Sequence, residues 1–126
     1  MSQPSLFTPE DLIFQYTRSQ AIEDGVLIDV SEMAREAGFQ WPVAVTAGVW
    51  ALVNEIPPRY RGLQDPDGRL WDVLWMASWA ARRGGHETLY RLILHHGRQT
   101  YATLKLHAGP GDHGEPVITI MLPEED

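Results

Sequence analysis

Residues 69–83 read RLWDVLWMASWAARR, a long and mostly apolar segment that contains three of the five tryptophans of the chain. At 3.6 residues per turn, Trp71, Trp75 and Trp79 recur at i, i+4 and i+8 and form one ridge of a helix. Helices that are apolar almost all round are normally buried, and aromatic stripes at helical spacing usually pack in cores rather than form binding sites. We therefore expect this helix at the centre of the core, with Trp75 fully packed. Smaller apolar residues cover its opposite side: Leu70, Val73, Leu74, Ala77 and Ala81.

Upstream, the chain has the signals of two short helices with a strand between them. Thr17 and Gln20 have the spacing of a capping box, and Gly25 is placed to end the helix that they begin. The segment VLIDV at 26–30 is predicted to be a strand. Ser31 is then expected to cap the second helix.

The segment WPVAVTAGVWALVNEI, residues 41–56, permits two interpretations. Four β-branched residues near its start favour a strand. Its length, its lack of alternation and the Pro57-Pro58 stop favour a helix, which is our prediction. Asp65-Pro66-Asp67-Gly68 has the residues of a type I turn and is expected to lie in a surface loop before the tryptophan helix.

The last third of the chain has a period of two, which indicates strands at 88–96, 100–108 and 116–122. A tight hairpin at Gly97-Arg98 is expected to join the first two of these strands. The predicted fold class is α+β: an antiparallel sheet of three to four strands packed on a central Trp-rich helix and two to three further helices. The strand at 26–30 is the possible fourth member. The residues expected to face the core are Tyr90, Leu92, Leu94, Leu104, Leu106, Ile118, Ile120 and Leu122. The outward rows are Arg91, Ile93, His95, then Tyr101, Thr103, Lys105, His107, and then Val117, Thr119, Met121.

Length and composition indicate an ordinary globular protein. The chain has 126 residues, 44% of them apolar, and no cysteine, which excludes a disulfide scaffold and a thiolate zinc site. It has no signal-peptide pattern and no apolar run long enough to cross a bilayer. We expect residues 1–126 to form a single compact domain in the cytoplasm, with 1–11 as a loose arm and without a cofactor or membrane attachment.

The net charge of −7 is unevenly distributed. Residues 1–58 carry eight acidic and two basic side chains, 59–105 four acidic and eight basic, and 106–126 five acidic and none basic. Nucleic-acid-binding proteins are normally strongly basic, so direct binding of DNA or RNA is not expected. An acidic protein suits a partner with a basic surface, although such charge also fits a role in solubility alone.

The acidic side chains that we expect to contact a partner lie on the first two predicted helices and the strand between them: Asp24, Asp29, Glu32 and Glu36. Asp29 is the first choice, because a carboxylate on the less apolar face of a strand is held in place. Tyr101 and Lys105 on the outward sheet face are the second choice.

The sequence contains no recognisable catalytic or metal-binding motif. His95 and His107, together with Asp112, His113 and Glu115, are ligand types for zinc or manganese, but their spacing matches no known metal motif. The glycine-rich stretch GPGDHG leads into a predicted strand, whereas a phosphate-binding loop leads into a helix. We therefore predict no metal site and no catalytic residue.

Four segments carry a resemblance to a known family: YTRSQAIEDGVLIDVSEMAREAGF (16–39), PVAVT (42–46), GRLWDVLWMA (68–77) and GPGDHGEPVITIMLP (109–123). They resemble an uncharacterised family of small proteins, known as a domain of unknown function, whose members are carried on plasmids, prophages and integrative elements. The resemblance covers most of the chain and implies no activity, cofactor or catalytic residue. It implies a setting in which small accessory proteins often inhibit host defence, as anti-CRISPR and antirestriction proteins do.

Two functional hypotheses follow from different classes. The first is a non-catalytic anti-defence inhibitor that blocks a basic, nucleic-acid-handling surface of a host complex. The second is a small nucleotide- or NAD-dependent modifying enzyme, for which Tyr16, Arg18, His95 and His107 are the available polar candidates. The first hypothesis predicts stoichiometric, salt-sensitive binding and the second predicts turnover.

Overall fold

The computed structural model describes residues 16–58, 62, 64–95 and 99–126. The predicted loose arm at 1–11 and the predicted hairpin turn at Gly97-Arg98 lie outside the described residues. Within these residues the chain forms four α-helices and five strands. In chain order they are α1 (Arg18–Glu23), β1 (Leu27–Asp29), α2 (Ser31–Glu36), β2 (Val43–Thr46), α3 (Ala47–Asn54), α4 (Pro66–Ala81), β3 (Glu87–His95), β4 (Gln99–Pro110) and β5 (Pro116–Met121).

The five strands form one mixed sheet in the order β1-β2-β5-β4-β3. Strands β2 and β5 pair in parallel, and the other three pairs are antiparallel. The predicted α+β class is confirmed, but the sheet is larger than predicted and is not purely antiparallel. The extra strand is β2, which lies inside the segment that the sequence predicts to be helical.

The prediction of a continuous helix over 41–56 is wrong. Residues Val43–Thr46 form a strand whose four side chains are all buried, because β2 lies between β1 and β5 and is covered on both faces. A strand buried on both faces is apolar without alternation, which is why the pattern resembled a helix. The helix begins only at Ala47, where the hydroxyl of Thr46 accepts a hydrogen bond from the Val49 N–H at 3.3 Å.

The predicted loop turn at 65–68 and the predicted cap at Ser31 are also wrong. Asp65 to Gly68 form the N-cap and first turn of α4 rather than a separate loop turn, and the Asp65 carboxylate accepts from the Gly68 N–H at 2.6 Å. Ser31 is the first residue of α2, not its cap. Its N–H donates to the Asp29 carboxylate at 2.8 Å, and its hydroxyl joins the backbone of Val43. The capping box of Thr17 and Gln20 at α1 is confirmed.

The core lies between one face of the sheet and the helices α2, α3 and α4. The inward-facing residues predicted from the period-two pattern are confirmed, and Leu122 packs against their edge. Helix α1 covers part of the opposite face, where the guanidinium of Arg18 donates to Thr119 Oγ1 and to the Ile118 carbonyl, both at 2.7 Å. Val117 and Met121, although on the outward rows, are buried on that face. None of the described helices is long and apolar enough to span a membrane.

Candidate functional site

The tryptophan ridge of α4 lies on the solvent side of the helix. Trp75 is 43% exposed and Trp79 is 50% exposed, and Trp71 is half-buried, so the prediction that Trp75 is fully packed is wrong. The reason is that α4 packs on the sheet through its other side, whose small apolar residues allow close approach of helix and sheet. These buried residues are Leu70, Val73, Leu74, Ala77 and Ala80.

The three tryptophans contact one another and form a continuous ladder, which we call the tryptophan ladder (Trp71, Trp75 and Trp79). The rings of Trp71 and Trp75 are stacked, with centroids 5.7 Å apart and an interplanar angle of 17°. Trp75 and Trp79 meet edge to face at 6.3 Å. The guanidinium of Arg82 lies 4.2 Å from the centroid of the Trp79 ring. Such contacts hold the rings in place, so the ladder is a preorganised apolar surface.

Strand β3, next to the ladder, is the last strand of the sheet and has a neighbour on one side only among the described strands. The N–H of Ala108 donates to the His86 carbonyl at 2.8 Å, so the even-numbered residues that follow in β3 bond to β4. The N–H and C=O groups of Leu89, Arg91 and Ile93 therefore point to the open edge. In agreement, the Leu89 carbonyl accepts from Arg83 Nη1 at 3.2 Å.

A groove of about 360 Å³ lies between α4 and the open edge of β3. A second groove of about 370 Å³ shares Asp72 and Ile93 with the first, so the two form one trough along the strand. We call this region the aromatic edge. It comprises the tryptophan ladder, Met76, Tyr101 and the open edge of β3 at Leu89, Arg91 and Ile93.

Tyr101 and Arg91 are part of the aromatic edge, and Arg82 and Arg83 lie beside it. Tyr101 is 64% exposed, pairs with Ile93 across β3 and β4, and has the Arg91 guanidinium 4.8 Å from its ring centroid. The contacts of Arg82, Arg83 and Arg91 within the described residues are with aromatic rings and the Leu89 carbonyl, and none is with a carboxylate. The surface therefore combines exposed aromatic rings with positive charge that has no acidic partner in this part of the chain.

The four acidic residues predicted to bind a partner are all exposed and lie on or beside α1, β1 and α2. Asp24 ends α1 and accepts a hydrogen bond from the Tyr16 hydroxyl at 2.7 Å, which raises the pKa of that hydroxyl. Asp29 holds the start of α2 through the Ser31 N–H. Glu32 and Glu36 are exposed on α2, which packs on the opposite side of the sheet from α1.

The two residues of the second predicted pair, Tyr101 and Lys105, have different surroundings. Tyr101 belongs to the aromatic edge, whereas Lys105 is half-buried and donates from Nζ to the Glu125 carbonyl at 2.6 Å. Lys105 is therefore used to hold the C-terminal residues against the sheet.

The residues considered for catalysis come together only in part. Tyr16 and His107 line a groove of about 620 Å³ on the sheet face that carries α1. Arg18 is bonded to Thr119 and Ile118, and its burial lowers the pKa of the guanidinium. The side chain of His95 lies outside the described residues. Within the described residues, no three His, Cys, Asp or Glu side chains are grouped as metal ligands.

Comparison with protein families adds one finding. The model of a family of unknown function, DUF6573, matches residues 3–126. The chain belongs to this family. Searches of curated proteins and of solved structures gave no match. Family membership thus agrees with the resemblance to a family of unknown function seen in the sequence motifs, and it assigns no reaction or partner.

Proposed function

We propose that this protein is a non-catalytic binding protein whose partner docks on the aromatic edge. The observation that carries the proposal is the exposure of the tryptophan ladder on a helix whose other side is buried. Large exposed aromatic patches mark interaction sites, because a monomer gains nothing by leaving them in water. Trp, Tyr and Arg are also the residue types that dominate binding energy at protein interfaces.

The biological setting belongs to the same proposal. From the resemblance of the sequence motifs, we propose that the protein is encoded on a mobile element and acts in the cytoplasm as an anti-defence inhibitor of the anti-CRISPR or antirestriction kind. Its partner would be a nucleic-acid-handling host complex. The sequence-based proposal that a basic host surface contacts the acidic residues remains a second candidate for the docking site. The aromatic edge is favoured because its tryptophan rings contact one another, and Trp71 and Trp75 line the trough beside the open edge of β3.

Binding is tested with a variant of the ladder and a matched control. Tagged protein captures its partner from host lysate, and the purified partner is then titrated with Trp75→Ala and with Trp50→Ala, which removes an exposed tryptophan from α3. Trp75→Ala should weaken binding by about 30-fold or more, the effect of losing an interface hot spot. Trp50→Ala should bind within about twofold of the unaltered protein. Undiminished binding by Trp75→Ala would contradict the proposal.

The anti-defence role has its own test. Cells with an active CRISPR or restriction system are challenged with a targeted phage, with and without the protein. Infection should recover with the unaltered protein and with Trp50→Ala, and should stay blocked with Trp75→Ala. Inhibition in vitro should require about one protein per target complex. Inhibition at strongly substoichiometric amounts would instead favour the enzyme hypothesis.

A further inference from the structure

We propose that the partner supplies an extended segment, with alternating acidic and apolar residues, that adds to the open edge of β3 as a sixth strand. The inference rests on the proposed function, because it names how the aromatic edge holds its partner. Strand addition gives affinity through main-chain hydrogen bonds and specificity through alternate side chains.

The backbone of β3 is arranged for such an addition. The N–H and C=O groups of Leu89, Arg91 and Ile93 point to the open edge, as the bonding of His86 to Ala108 requires. The trough that follows this edge reaches from Arg91 past Ile93. At Leu89 the carbonyl already accepts from Arg83 Nη1, which leaves the Leu89 N–H for an added strand. Five extended residues cover about 17 Å, so a short segment suffices to occupy the edge.

The two sides of an added strand would meet different chemistry. Successive side chains of a strand point to opposite faces of the sheet. One set would point to the helix layer, where Asp72, Trp75 and Met76 line the trough. The two large apolar side chains and the Asp72 carboxylate favour apolar side chains over acidic ones there. The other set would lie on the face that carries Arg91 and the Tyr101 ring, and this set should be acidic.

The charges beside the open edge of β3 favour an acidic segment over other possible occupants of that edge. Arg82, Arg83 and Arg91 contact no carboxylate in the described part of the chain, so a carboxylate-bearing segment would complete their pairing. A second copy of this chain would bring two sets of these arginines together, which is unfavourable. A single-stranded nucleic acid needs open ring faces, whereas Trp71 and Trp75 are stacked on each other, and the whole chain carries a charge of −7.

The test uses a capped ten-residue peptide of alternating valine and glutamate. On binding, NMR-detected hydrogen exchange of the Leu89, Arg91 and Ile93 amides should slow by about tenfold or more. The amides of Tyr90 and Leu92, which already bond to β4, should not change. Two matched peptides serve as controls: alternating valine and lysine, and the first composition reordered with helical periodicity. Both should bind about tenfold more weakly or worse, measured by tryptophan fluorescence.

Backbone methylation of the peptide separates strand pairing from simple contact. N-methyl groups on all glutamates, or on all valines, remove the N–H groups of one alternate set. One of these two peptides should lose binding and the other should retain it, because only one set faces β3. Equal binding of both would overturn strand addition.

Other outcomes identify other occupants or a different mode of binding. Concentration-dependent protection of the same amides without peptide would overturn the proposal in favour of a second copy. Tighter binding of oligo(dT) than of the valine–glutamate peptide would overturn it in favour of single-stranded DNA. A partner that depends on Trp75 but leaves the three amides unprotected would leave the proposed function standing and overturn strand addition alone.

Discussion

At the scale of single residues, Leu74 and Trp75 are chain neighbours in α4 with opposite surroundings. Leu74 is fully buried against the sheet, whereas Trp75 is 43% exposed, stacks on Trp71 and meets Trp79 edge to face. We expect Leu74→Ala to lower the free energy of unfolding by about 2–5 kcal/mol, since it leaves a cavity. Trp75→Ala should cost about 1 kcal/mol, the worth of its aromatic contacts. Chemical denaturation measures the free energy of unfolding of both variants. A larger decrease for Trp75→Ala than for Leu74→Ala would show that Trp75 is part of the core.

Arg69 is a single charged residue on which the packing of two helices depends. It is only 4% exposed, and its Nη1 donates to the carbonyls of Leu52 and Glu55, at 3.1 and 2.9 Å, where α3 ends. Arg69→Met would keep the bulk and leave these carbonyls without that donor, at an expected cost of about 2–4 kcal/mol. Arg82→Met is the matched exposed control and should stay within about 1 kcal/mol. Equal denaturation midpoints for the two variants would rule out this role for Arg69.

At the scale of elements, α1 depends on a residue distant in sequence. The carboxylate of Asp112 accepts from the N–H groups of Arg18 and Ser19 at 2.7 and 3.0 Å, and these bonds lower the pKa of Asp112. The stabilising effect is thus present above the unfolded pKa, near 4, and is lost as pH falls through the lower folded value. Asp112→Ala should speed hydrogen exchange of the α1 amides at pH 7, with Asp112→Asn as a milder control. The excess protection of the unaltered protein over Asp112→Ala should disappear in acid, and a pH-independent difference would contradict this account.

Some features of the strands and helices could be predicted from the sequence, and others could not. The inward rows of β3 and β4 were predictable, because strands with one buried face alternate. The inward row of β5 was also predicted correctly, but the burial of Val117 and Met121 on its other face was not. Strand β2 was not predictable, because burial on both faces removes the alternation. Leu70, Val73, Leu74 and Ala77 of α4 are buried as expected. The expectation that the tryptophan side is buried too was wrong, because whether that side has a neighbour is a matter of tertiary packing. The open edge of β3 could not be foreseen either, since strand order depends on pairings distant in sequence, including the parallel pair of β2 and β5.

At the scale of the whole molecule, charge separates two candidate docking regions. Arg82, Arg83 and Arg91 lie at the aromatic edge, whereas the four predicted partner-binding acids lie around the other end of the sheet, at β1. Exposed charges mainly set the association rate and its salt dependence. The two regions therefore make opposite kinetic predictions for one partner.

For a partner with an acidic segment at the aromatic edge, replacing the three arginines by glutamine should slow association severalfold at low salt and flatten its salt dependence. Replacing Asp24, Asp29, Glu32 and Glu36 by Asn or Gln should instead speed association, because the net charge of −7 repels an acidic partner and the change reduces that repulsion. Stopped-flow measurements at low and physiological salt show whether each set of substitutions slows or speeds association. Melting curves must accompany the acid variant, since Asp29 also holds the start of α2. Slower association of a fully folded acid variant would move the docking site from the aromatic edge to the acidic residues around β1.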